Sequence, residues 1–117
     1  MAVTLTTSQA YISPQKQTSV TCAAADTVTL DCNVHGDQIL VQMPAGNITI
    51  ANPLNPQVGY ALMFKIIQDS TGGRTITWGS AFKKAISLSA GANAVDVVQF
   101  QYDGAAWLEQ GEAKNIS

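Results

Sequence analysis

Charge is scarce in this chain: only 12% of its 117 residues are Asp, Glu, Lys or Arg, about half the usual share for a soluble domain. Six basic residues against eight acidic ones leave a formal net charge of −2. A nucleic-acid binder needs clustered cations to displace counterions from phosphate, and Lys83-Lys84 is the one basic pair, so nucleic acid is not an expected partner. No cationic segment with a following apolar run opens the sequence, and no apolar stretch approaches membrane-spanning length. Neither a secretory leader nor a membrane partner is expected, and the chain is expected to fold in a cytoplasm. The surface must rely on uncharged Thr, Ser, Gln and Asn, which are easier to desolvate than Lys and Glu and so favour an interaction protein.

The groups that carry chemistry are few as well. His35 is the only imidazole and lies beside Gly36 in a turn pattern, with no nucleophile placed next to it, so no serine or cysteine hydrolase is expected. Asp31, Asn33, Gly36 and Asp37 fall at calcium-loop spacing, but His35 and Gln42 stand where oxygen ligands are needed, and flanking helices are missing. Cys22 and Cys32 are ten residues apart and share a face with Val20, Val28 and Leu30. Two reduced core thiols are the first reading and a cross-strand disulfide the second, while a metal would lack partners beyond the single histidine. Asp69, Asp96, Asp103 and Glu109 are the carboxylates to consider as a glycosidase pair, although turns account for Asp69 and Asp103 more simply. Gly72-Gly73-Arg74 is turn chemistry, since no Gly-Lys-Ser/Thr follows and no helix begins there. No enzyme, cofactor or metal is expected.

What the sequence does have is period-two alternation from end to end, with no helical-length segment keeping an apolar stripe. Ala2-Val3-Thr4-Leu5-Thr6 is a short candidate strand within a polar segment, residues 1–17, which is read as an extended arm or an edge strand. Residues 18–117 are read as one domain. Candidate strands lie near 19–23, 27–32, 38–43 and 47–51, and Asn52-Pro53-Leu54-Asn55-Pro56 then forces a loop, because proline lacks the ladder donor. Residues 60–68 place Tyr60, Leu62, Phe64 and Ile66 on one face and Ala61, Met63 and Ile67 on the other, which marks a central strand. Ser70-Thr71-Gly72-Gly73 predicts a hairpin returning into Arg74–Trp78. Along 95–102 the apolar parity slips between Val97 and Val98, which predicts a bulge near Val97. Asp103-Gly104 predicts a two-residue hairpin turn placing Phe100 opposite Trp107 and Tyr102 opposite Ala105. Short, closely spaced strands without an evident internal repeat predict an all-β fold: an antiparallel two-sheet sandwich, jelly-roll-like, with an extended N-terminal segment.

Asn52-Pro53-Leu54-Asn55-Pro56, the run from Gln68 to Phe82, Ala94-Val95-Asp96-Val97-Val98 and the hairpin over 93–110 together resemble a β-module of tailed-bacteriophage virion proteins. The resemblance covers residues 47–110 and rests on strand and turn motifs. It implies an oligomeric, all-β structural module of phage heads, tails or fibres, and offers no catalytic residue. The leading expectation is therefore a capsid decoration or cement protein, made in the bacterial host and bound as a homotrimer to the major capsid protein on the outer capsid surface. Its expected contacts are Ala2, Val3, Thr4, Leu5, Tyr11 and Ile12 of the arm and Asn52, Pro53, Asn55 and Pro56 of the loop. The alternative is a tail or fibre module attaching to a host-surface glycan, with Trp78 or Trp107 in a concave patch.

Overall fold

Alternating apolar residues give a strand one face to bury, and two sheets facing each other are the simplest way to bury it. The computed structural model describes residues 17–84 and 86–116, and among them it takes this solution without any helix. The strands are β1 (Gln17–Val20), β2 (Thr27–Val28), β3 (Gln38–Gln42), β4 (Ile48–Ile50), β5 (Ala61–Ile67), β6 (Ile76–Trp78), β7 (Val95–Tyr102) and β8 (Trp107–Ala113). One sheet has the order β1-β3-β5-β7-β8 and the other β2-β4-β6.

The expected all-β, two-layer sandwich is therefore present, but its pairing direction differs from the antiparallel expectation. β1, β3 and β5 run parallel, with Gln17 beside Gln38 and Gln38 beside Met63. β2, β4 and β6 also run parallel, with Thr27 beside Thr49 and Thr49 beside Thr77. Up to β6 the chain changes sheet after every strand, so each consecutive pair of strands forms one turn of a flattened coil. Three such coils stack, and antiparallel pairing among the described strands is confined to β7, which runs against both β5 and β8. These parallel ladders are not those of a jelly roll, which is wound from antiparallel strands.

The stretch from Ser70 to Gly73 makes a corner between sheets and not the expected hairpin, for β6 pairs with β4. Two side chains hold that corner. Gln68 is buried, donates through Nε2 to the carbonyls of Arg74 (2.8 Å) and Ser89 (3.1 Å), and accepts from the Arg74 N–H through Oε1. Asp69 accepts from the Thr71 and Gly72 N–H groups and pairs with Arg74 at 3.1 Å. The Arg74 hydrogen bond, followed by that from Gly72, holds the Asp69 carboxyl below its ordinary range.

Inward residues of β3, β5 and β7 meet Ile48, Ile50 and Ile76 of the other sheet, and all are buried. β5 is the middle strand of five, as its two apolar faces predict. The parity slip on β7 is absorbed without the bulge expected near Val97. Asp96, Val98 and Phe100 all point inward in regular alternation, so a carboxylate occupies an interior position. The ladder does shift register elsewhere: Gln99 faces Gly111 and Phe100 faces Glu109, which skips Gln110 of β8. The closing turn is longer than two residues. Tyr102, not Phe100, lies opposite Trp107, and Asp103 Oδ1 accepts from the Ala105 and Ala106 N–H groups.

Cys22 and Cys32 are separate, half-buried thiols packed against the core. Burial, then the nearby Asp31 carboxylate, pushes Cys32 up to about 11, and burial also raises Cys22, so both are protonated and unreactive at neutral pH.

Close approach between coils leaves no room for a side chain at Gly79. A Cβ on Gly79 would come within 2.6 Å of the Asn52 backbone nitrogen. Gly79→Ala is expected to destabilise the protein by about 2 kcal/mol through overpacking, read as a lower urea midpoint with an unchanged slope.

Candidate functional site

At the end of the sandwich where β3 and β5 begin, the segments 31–37 and 52–60 lie side by side, and the 103–106 turn adjoins them. Backbone bonds fix this arrangement. Cys32 donates to the Leu54 carbonyl at 2.9 Å, Gly59 to that of Tyr102 at 2.8 Å, and Tyr102 to that of Tyr60 at 2.9 Å. Asp31 shapes the first segment: its Oδ1 accepts from the Asn33 N–H and from Asn55 Nδ2, both at 2.9 Å, while its own N–H donates to His35 Nδ1 at 3.0 Å. The Asn55 hydrogen bond, then that of Asn33, holds the Asp31 carboxyl below its usual range.

Tyr60 is the centre of the site. Its hydroxyl donates to the His35 carbonyl at 3.1 Å, and its ring meets the buried Trp107 edge-on at 6.2 Å. Burial raises the Tyr60 hydroxyl above its ordinary value, with Cys32 and Asp37 adding to the effect, so it is a neutral donor at any physiological pH. On one side of Tyr60 lies a shallow cavity of about 420 Å³ bounded by His35, Gly36, Asp37, Gly59 and Ala61. On the other lies one of about 210 Å³ bounded by Cys32, Asn33, Asn55 and Gln57. Asp37 Oδ1 is buried yet has no hydrogen-bond partner among the described residues. Val34 and Leu54 of these segments are 70% and 52% exposed, and Val58 is 76% exposed, so the margin is apolar. Neutral amides and a phenol around a shallow hollow can exchange hydrogen bonds with hydroxyl groups.

The residues expected from sequence fall into three groups. Ala2, Val3, Thr4, Leu5, Tyr11 and Ile12 lie outside the described residues. Asn52 and Pro53 serve packing: Pro53 is buried, and Asn52 Oδ1 accepts from the Ala81 N–H at 2.8 Å while Nδ2 donates to Ser80 Oγ. Asn55 does line the site, with half-buried Pro56 beside it, and its positive φ of 54° turns the chain there. Trp78 and Trp107 are not available for a glycan patch. Trp107 is fully buried, and Trp78 packs on Phe64 at 5.3 Å with Nε1 donating to the Ile86 carbonyl. Sequence reasoning missed Tyr60 and Gln57, which no motif singles out, and weighed Asp37 only within a calcium-loop spacing.

The acids weighed as a catalytic pair are dispersed. Asp69 holds its corner, Asp96 accepts from Ser89, Asp103 caps its turn, and Glu109 pairs with Lys84 at 3.4 Å. Among the described residues, no three His, Cys, Asp or Glu side chains gather as metal ligands would.

Residues 28–107 match the model of a family described as "Putative phage tail fibre C-terminal domain". No curated protein and no solved structure matches the chain.

Proposed function

The chain belongs to this tail fibre C-terminal domain family and is a structural component of the phage virion; on that premise we propose that it is a tail-fibre module that attaches to a host-surface glycan. The family match carries this reading, for it names a tail part and gives no support to the outer capsid surface or to the major capsid protein as partner. The hollow around Tyr60 supports it chemically. Sugar hydroxyls both donate and accept, so they can pair with the Asn55 and Gln57 amides at the margin. Val34, Leu54 and Val58 offer apolar area to the C–H faces of the same sugar. Binding and not turnover is the proposed role.

Gold-labelled antibody against the chain should mark tail tips in electron micrographs of virions, whereas label spread over heads would reinstate capsid decoration. The isolated protein should compete with phage for adsorption to host cells. Gln57→Ala should weaken that competition by about fivefold, the scale of one lost hydrogen bond at the margin. Undiminished competition by that variant would move the attachment surface away from this end.

A further inference from the structure

His35 is the one imidazole of the chain, and its ring is turned onto the backbone of its own segment. Leu54 donates to the Leu30 carbonyl and Cys32 donates to that of Leu54, which bridges Asp31 to Leu54 in parallel. In such a bridge the backbone groups of residues 30 and 32 face the neighbouring segment, so the N–H and C=O of Asp31 face away from it. Both find residue 35. The Asp31 carbonyl accepts from the His35 N–H at 2.8 Å, and the Asp31 N–H donates to His35 Nδ1 at 3.0 Å.

A backbone N–H can only donate, so the nitrogen facing it must offer a lone pair. The half-buried ring is therefore neutral, with its proton on Nε2. A proton on Nδ1 would set two donors face to face, and the bond to Asp31 would have to open. That bond closes the segment that walls the hollow. Residues 35–37 bound one cavity, Cys32 and Asn33 bound the other, and the Tyr60 hydroxyl between them donates to the His35 carbonyl.

We propose that His35 is a positioning residue of the Tyr60 hollow: its neutral ring latches segment 31–37 through Nδ1, and a proton on that nitrogen releases the latch. The groups around the ring leave the change to the imidazole. Asp31, whose carboxyl is held below its usual range by the Asn55 and Asn33 hydrogen bonds, stays ionised in mild acid, while burial raises Cys32 and Tyr60, which keep their protons. Asp37 is the second acid of the segment, so a released imidazolium has Asp31 and Asp37 to turn to. From β1 comes the uncharged Thr18, whose Oγ1 accepts from the Gly36 N–H. The consequence for attachment rests on the glycan reading above: binding is stronger at neutral pH than in mild acid.

Nitrogen-15 NMR of the imidazole in the full chain reads the latch without any ligand. At about pH 7.5 His35 should show an unprotonated Nδ1 and a protonated Nε2, and the opposite tautomer or an averaged pair would overturn the proposal. His35→Asn puts an amide oxygen near the place of Nδ1 that takes up no proton in this range. At about pH 5 the Asp31 N–H should exchange about tenfold faster in the native protein than in this variant, with β5 amides equally protected in both, and at about pH 7.5 the two should match. Equal Asp31 exchange at both pH values would overturn the proposal. Fluorescently labelled protein on host cells then tests the consequence: the ratio of binding at about pH 5 to that at about pH 7.5 should be about fivefold lower in the native protein than in the variant. Equal ratios with cell binding present would remove His35 as a positioning residue. A latch that opens in the exchange data, with no cell binding at either pH, would uphold the latch and overturn the glycan reading.

Discussion

Replacing Phe64 by alanine is expected to cost about 4 kcal/mol, the upper range for removing a buried aromatic ring. Phe64 is wholly inaccessible on the middle strand of the larger sheet and touches both layers of the sandwich. Its ring stands edge-on to Trp78 at 5.3 Å, to Phe100 at 6.0 Å and to Phe82 at 6.2 Å, so truncation opens a void that three other rings border. Trp78 and Phe100 are pinned by β6 and β7 and Phe82 by its bridge to Trp107, so the rings cannot collapse inward to fill it. Chemical denaturation should show a much lower midpoint at an unchanged slope. Val58→Ala, at an exposed position, should shift stability by less than about 0.5 kcal/mol and serves as the contrast.

The second large effect concerns Asp96. Its buried carboxylate accepts from the Ser89 N–H at 2.7 Å, and from Ser89 Oγ and the Asn115 N–H at 2.8 Å each. Burial by itself raises this carboxyl, but the Ser89 and Asn115 donors, aided by Lys114, outweigh it and hold the group below its usual range. Asp96→Ala leaves those donors without an acceptor and should cost about 3 kcal/mol. The pH dependence has a definite sign. A carboxyl lowered by folding contributes stability that is present above the unfolded value near about 4 and is lost as pH falls through the folded value. Thermal melts from neutral to acid pH should show a falling midpoint in the native protein. Asp96→Asn should flatten that fall, with the remainder due to Asp31, Asp69 and Asp103, whose carboxyls are also lowered. A variant with the same acid slope as the native protein would remove Asp96 from this account.

Strand positions were legible because alternation of burial writes itself into residue type, as Leu62, Phe64 and Ile66 illustrate. Pairing direction was not, since a strand alternates identically whether its neighbour runs with it or against it. Ser70-Thr71-Gly72-Gly73 shows the ambiguity: glycine and small polar residues suit a hairpin, yet here the same residues serve a corner set by Gln68 and Asp69 side chains. The Val97–Val98 slip misled because an inward aspartate is costly alone, and its donors come from Ser89 and Asn115, far from it in the pattern. The coil repeat escaped notice because its steps are uneven, 21 residues from Gln17 to Gln38 but 25 from Gln38 to Met63. Of the site, Asn55 was legible as a turn residue. Tyr60 looked like one more aromatic of a sheet face, and only the 35–37 and 57–59 segments around it give it a hollow to line.

The one reversed strand of the larger sheet is β7, which runs against both β5 and β8, and beyond it Lys84 straddles Glu109 and Glu112 of β8. At the β8 edge, two carboxylates and a lysine occupy the flank that a further coil would have to cover, and charged groups cost far more to bury than the threonines and isoleucines between the coils. The winding therefore ends, among the described residues, in a charged edge that discourages pairing with another sheet.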